Sequence, residues 1–109
     1  MTEKWAEMLV IGELVNQLTK AGYLLNVWDG ESDYYLDEWT GDRETIFENL
    51  RTMDYDHLYA RKGEDQRGGH VMLVYGNGRE VISDYTICDK EFEVICDNAI
   101  DYAETLEDR

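Results

Sequence analysis

From residue 70 to residue 109 the chain reads HVMLVYGNGREVISDYTICDKEFEVICDNAIDYAETLEDR, and two periodicities in this stretch decide the fold. Residues 70–75 and 79–86 flank Gly76-Asn77-Gly78, and Asn-Gly between two β-branched runs is a strong hairpin signal. From Asp89 onward the period becomes that of a helix. At about 100° per residue, Phe92, Ile95, Cys96, Ala99, Ile100, Tyr102, Ala103 and Leu106 fall within about 160° of arc. Glu93, Asp97, Asp101, Glu104 and Asp108 fall within about 80° on another side. Asp89 is a good N-cap and Glu91 suits the positive end of the helix dipole, so a helix is predicted over residues 89–107.

Working outward, Trp5, Met8, Leu9, Ile11, Leu14, Val15 and Leu18 recur at three- and four-residue steps and predict a first helix with these side chains on its core face. Thr2 is its expected N-cap and Gly22 its C-terminal left-handed residue. Residues 23–28 read as a strand. Asp29-Gly30-Glu31-Ser32 is turn chemistry, and residues 34–39 are expected to return as a second strand. A short helix capped by Thr40 or Asp42 carries Ile46, Phe47 and Leu50 inward. Residues 55–61 read as a strand with Leu58 and Ala60 on one face and Tyr59 and Arg61 on the other. Residues 64–69 are polar and glycine-containing, and are expected to be a mobile loop. The predicted order is α-β-β-α-β-β-β-α. The fold class is therefore α+β: one domain over residues 1–109, with two long terminal helices and one short helix packed on an antiparallel sheet.

A chain of 109 residues, 43% hydrophobic and 12% aromatic, suffices for a single modest core and is too rich in Trp and Tyr for an acidic disordered tail. The longest apolar run, residues 8–11, is far short of the roughly 20 residues of a membrane span. The N-terminus has no signal-peptide pattern, and Cys88 and Cys96 are expected to be reduced thiols, which together point to the cytoplasm.

The formal net charge is −15, and its distribution matters more than its size. Residues 29–42 hold six carboxylates (Asp29, Glu31, Asp33, Asp37, Glu38, Asp42) and no Lys or Arg. Residues 84–108 hold nine acids against the single Lys90. Such a field attracts basic surfaces and repels nucleic acid and anionic membrane. The placement is costly for a merely solvated face. Glu104, Glu107 and Asp108 lie at the negative end of the last helix, at about 0.3–1 kcal/mol each when exposed. Like charges four apart, Glu93/Asp97 and Asp97/Asp101, add a few tenths of a kcal/mol. The helical acids repeat about every 5–6 Å, sparser than the one charge per ~1.7 Å of duplex DNA, so DNA mimicry would require the 29–42 cluster as well. A solvated surface and adaptation to a salt-saturated cytoplasm are the competing explanations. Halophilic surfaces spread their acids evenly, whereas these are grouped.

Catalytic and metal signatures are lacking. Asp29-Gly30-Glu31-Ser32-Asp33 alternates acids as a calcium loop does, but Tyr34 stands where the loop needs Gly and Thr40 where it needs a bidentate Glu. Ser32 and Ser83 lie in no nucleophile elbow. His57 and His70 are thirteen residues apart on separate strands and read as structural or surface groups. Cys88 and Cys96 have no zinc spacing. Gly76-Asn77-Gly78 is a turn, too short for a phosphate cradle. Asp37/Glu38 in so short a chain leaves little room for a sugar cleft. No cofactor, no metal and no enzymatic activity are expected. Arg61, Lys62 and Arg67 cluster at one loop, but the bases are too heavily outnumbered for direct nucleic-acid binding.

The run Val71-Met72-Leu73-Val74-Tyr75-Gly76-Asn77-Gly78-Arg79-Glu80-Val81-Ile82-Ser83-Asp84-Tyr85-Thr86 resembles a segment of small uncharacterised proteins of bacteria and their phages. The preceding helix, and a strand ending in Trp28-Asp29-Gly30, are similar too. The resemblance implies a small α+β domain in a mobile-element setting. By size and charge the chain is also similar to phage-encoded inhibitors of host defence of the anti-CRISPR and anti-restriction type, many of which mimic DNA. The expected function is a non-enzymatic inhibitor that blocks a basic nucleic-acid-binding surface of a partner protein. Glu93, Asp97, Asp101, Glu104 and Asp108 form one partner-binding ladder, and Asp29, Glu31, Asp33, Asp37 and Glu38 a second, with Tyr35 and Trp39 as aromatic anchors. The alternative is a regulatory or adaptor domain that binds a protein through its aromatic face, with the acids serving solubility.

Overall fold

The computed structural model describes residues 3–28, 36, 38–50, 55–63, 66–76 and 78–106. In chain order these form α1 (Glu3–Lys20), β1 (Leu24–Trp28), α2 (Arg43–Asn49), β2 (Tyr55–Gly63), β3 (Gln66–Val74), a 3₁₀ turn (Gly78–Glu80), β4 (Ile82–Ile87) and α3 (Lys90–Thr105). The four strands make one antiparallel sheet in the order β1-β2-β3-β4. The class is α+β, as predicted. α1 and α3 pack together, α1 also meets the 3₁₀ turn and β1, and α3 meets β3 and β4. The core lies between this helical layer and the inward sheet face of Leu25, Val27, Leu58, Ala60, Val71 and Leu73. Each such fully buried Leu or Val contributes about 1.5–3 kcal/mol.

α1 ends in a Schellman motif. Gly22, at φ +93°, lets Tyr23 N–H reach Leu18 O and Gly22 N–H reach Thr19 O, both at 3.1 Å. Its core face is rolled relative to the predicted one. Val10, Ile11, Leu14, Val15 and Leu18 are buried, but Trp5 and Met8 are 40% and 54% exposed, while Glu7 is only 1% exposed. The reason is polar: Glu7 Oε2 accepts the Gly76 N–H at 2.8 Å, so the helix turns a carboxylate inward to serve the turn after β3. Thr2 lies outside the described residues.

Two predicted elements change. Half of the returning strand over residues 34–39 falls outside the described residues, and its described positions, Leu36, Glu38 and Trp39, are not strand. Among the described residues of this segment, Thr40 pairs with β1, through an isolated bridge to Leu25 with N···O distances of 2.8 and 3.0 Å. Asn26 takes over the strand's task further along. Its side chain donates to Leu36 O and accepts from Leu36 N–H, which is how a buried amide is satisfied on the outward face of the sheet.

The predicted loop over residues 64–69 is strand from Gln66 onward. The pairing shifts from Ala60↔Gly69 to Arg61↔Arg67, so Gly68 is the extra residue of a β-bulge. Its glycines serve close packing rather than mobility. A Cβ on Gly68 would lie 2.5 Å from the Tyr23 ring, and one on Gly69 (φ +149°) would lie 2.3 Å from Thr86 O and 2.6 Å from the Phe92 ring. Residues 79–80, expected in the last strand, belong to the 3₁₀ turn instead. Val74 N–H to Val81 O at 2.8 Å closes this wider connection.

α3 begins as its sequence requires. Asp89 caps it by accepting Phe92 N–H at 2.7 Å, and both carboxylate oxygens take the Tyr23 hydroxyl at 2.8 and 2.9 Å. Burial, and then Asp89, push the Tyr23 phenol well above its usual range. Lys62 stands over the same ring at 4.9 Å and pairs with Glu91. One buried phenol thus joins the end of α1, the β2–β3 hairpin and the start of α3.

Candidate functional site

α3 buries Phe92, Ile95, Cys96, Ala99 and Ala103, which leaves its acidic stripe outward. Glu93 is half-exposed and lies 3.4 Å from Lys90. Asp97 is exposed and accepts the Tyr85 hydroxyl at 3.3 Å; partial burial, and then Asp97, raise that phenol's pKa. Asp101 and Glu104 are exposed and pair with no described residue. At the helix end Arg79 Nη1 donates to Leu106 O at 3.3 Å, which offsets part of the negative dipole there. Arg79 and Glu104 face each other across a cleft of about 660 Å³ that Ile82, Ile100 and Ala103 also line.

The remaining acids of the two stretches divide by task. Asp89 and Asp42 are helix caps; Asp42 accepts Thr45 Oγ1 at 2.6 Å and Glu44 N–H at 3.3 Å, and the Thr45 bond chiefly lowers its pKa. Glu91 is bound to Lys62. Glu38 is exposed. Asp29, Glu31, Asp33, Asp37, Asp108 and Tyr35 lie outside the described residues. Glu38 and Asp42 belong to the segment beside β1, whereas α3 packs on β3 and β4. Glu38, the member of the second ladder that is described, therefore lies beside β1, away from the strands under α3.

Trp39 is half-buried, with the Arg61 guanidinium 4.1 Å over its ring. Trp39, expected as an aromatic anchor, belongs to a wider surface whose other members no predicted site contained. The outward sheet face carries Trp28 from β1, Tyr55, His57, Tyr59 and Arg61 from β2, and His70 and Met72 from β3, all partly exposed. Tyr59 and His70 are opposite one another and stacked, with ring centroids 4.6 Å apart at 17°. Trp28 meets Tyr59 edge-on at 5.8 Å, and His57 lies 6.2 Å from His70. Burial, and then the neighbouring His57, lower the His70 pKa, with Asp84 acting against them. The histidines read as distant in the sequence are thus neighbours. The signal available was the i, i+2 spacing of Tyr55, His57, Tyr59 and Arg61; the pairing that adds His70 was not legible.

Cys88 is exposed, whereas burial pushes the Cys96 thiol up to about 12. Among the described residues no three His, Cys, Asp or Glu side chains converge on a metal position, and no helix is long and apolar enough to cross a membrane. Comparison with known protein families, curated proteins and solved structures gave no match.

Proposed function

We propose that this protein is a non-catalytic inhibitor that occupies a basic, nucleic-acid-binding surface of a partner protein through the outer face of α3. The observation that carries the reading is the exposed series Asp97, Asp101 and Glu104, with no Lys or Arg between them in the sequence; Glu93, paired with Lys90, extends it. Asp97 and Asp101 are one helical turn apart, about 6 Å, so Lys or Arg from a partner can engage both while the apolar side of α3 stays in the core. Asp42, Asp89 and Glu91 are already engaged as helix caps or with Lys62, whereas Asp101 and Glu104 are left for a partner.

The resemblance in size and charge to inhibitors of host defence makes nucleases of that kind the first partner class to try. Association should be fast at low salt and weaken steeply as salt rises. The test is capture on immobilised wild-type protein beside a variant carrying Glu93→Gln, Asp97→Asn, Asp101→Asn and Glu104→Gln. A nucleic-acid-binding protein retained only by wild type, and released by duplex DNA, supports the reading. Equal retention by both proteins, or binding indifferent to salt, overturns it.

A further inference from the structure

The outward sheet face holds a second feature, independent of α3. Arg61 on β2 and Arg67 on β3 are direct cross-strand partners at the bulge. Like charges opposite one another on a sheet repel. In a chain with 25 acids and 10 bases, both could have been given carboxylate partners at little cost, yet neither forms an ion pair with a described residue. Arg61 Nε is buried with no hydrogen-bond partner among the described residues. Leaving such a donor unsatisfied costs about 1–3 kcal/mol, more for a charged group. Its stacking on Trp39 recovers about 0.5–2 kcal/mol, depending on desolvation, but gives Nε no acceptor.

Both arginines line one cleft of about 410 Å³ with Trp39, Tyr59, His70, Thr86 and Cys88, floored by Ala60 and Gly69. That volume is of the size that takes a small ligand. Two cationic forks and an unsatisfied donor call for an anion, and Arg matches a phosphate bidentately. The indole, phenol and imidazole walls call for a flat ring. The bulge is what makes the site: by inserting Gly68 it brings Arg67 opposite Arg61.

We propose that this cleft binds a mononucleotide, its phosphate between Arg61 and Arg67 and its base against Trp39, Tyr59 and His70. The net charge of −15 selects the size of the ligand: a single nucleotide brings about two charges into the field, whereas a strand brings one per residue and is repelled. The site is separate from α3, and it stands or fails independently of the inhibitor function.

The experiment is titration of the full chain with AMP, GMP, CMP and UMP, followed by calorimetry and by amide shifts, with inorganic phosphate and adenosine as half-ligands. At least one nucleotide should bind saturably, about tenfold or more tighter than either half-ligand, and shift the amides of residues 61, 67, 69 and 70. Arg67→Gln, at an exposed position, should weaken that binding about tenfold or more without lowering the melting temperature, and Arg61→Gln should weaken it further. No saturable binding up to about 5 mM, beyond the millimolar affinity worth roughly 4 kcal/mol, overturns the proposal. Equal binding of phosphate and nucleotide, or indifference to Arg67→Gln in a folded variant, overturns it as well. An oligonucleotide that outcompetes every mononucleotide overturns the small-ligand assignment.

Discussion

Tyr23 shows how much one side chain decides. Its hydroxyl donates to both oxygens of Asp89, and burial followed by Asp89 raises its pKa above the ordinary value of 10.0. The folded state therefore holds this proton more tightly than the unfolded chain does. The stabilisation is complete below about pH 10 and is lost as pH rises from there toward the higher folded-state value. Urea melts from pH 8 upward should show an alkaline decline that is shallower in Tyr23→Phe, where the raised Cys96 and Tyr85 groups alone remain, and at pH 8 that variant should be less stable by about 1.5–3 kcal/mol, as for a hydrogen bond to a charged acceptor. Gly69 is equally constrained. With φ at +149° and no room for a Cβ beside Thr86 O and Phe92, Gly69→Ala should cost at least about 2 kcal/mol in the same melts. The cysteines differ by exposure: one thiol, Cys88, should titrate with Ellman's reagent in native protein, and Cys96 only after denaturation. Two thiols titrating at once in the native state would contradict the placement of α3.

α3 is the element in which sequence and structure agree most closely. Its cap at Asp89, its buried stripe and its outward acids all follow from local chemistry, because spacing within a helix fixes which side chains share a face. Its C-terminal acids oppose the helix dipole. Neutralising Asp101 and Glu104 together should therefore raise the melting temperature at low salt, by an increment that shrinks as salt is added. The same variant should lose partner binding, so stability and binding should move in opposite directions. α1 is the contrasting case. Its periodicity named Trp5 and Met8 as core, but the turn at Gly76 required an acceptor, and Glu7 supplies it. A hydrogen bond between residues 69 positions apart leaves no trace in the local pattern.

At the scale of the whole molecule, excess negative charge destabilises the compact state through self-repulsion. Thermal midpoints should rise as salt increases from about 10 mM to about 150 mM, where the screening length falls to about 8 Å, and change less beyond. A flat profile would mean that the described ion pairs and caps already offset the repulsion. The sequence by itself determined the α+β class, the two long helices, the last hairpin and the grouping of the acids. Each of these depends on residues close in the chain, where helix and strand periods are fixed by backbone geometry. Only the tertiary contacts bring Arg61 opposite Arg67, stack Tyr59 on His70 and set His57 near His70. Those relations depend on strand register, which here is set by a bulge at Gly68, packed against Tyr23, with Gly69 beside it against Phe92. A shift of one residue there would exchange every facing pair, and no local pattern records it.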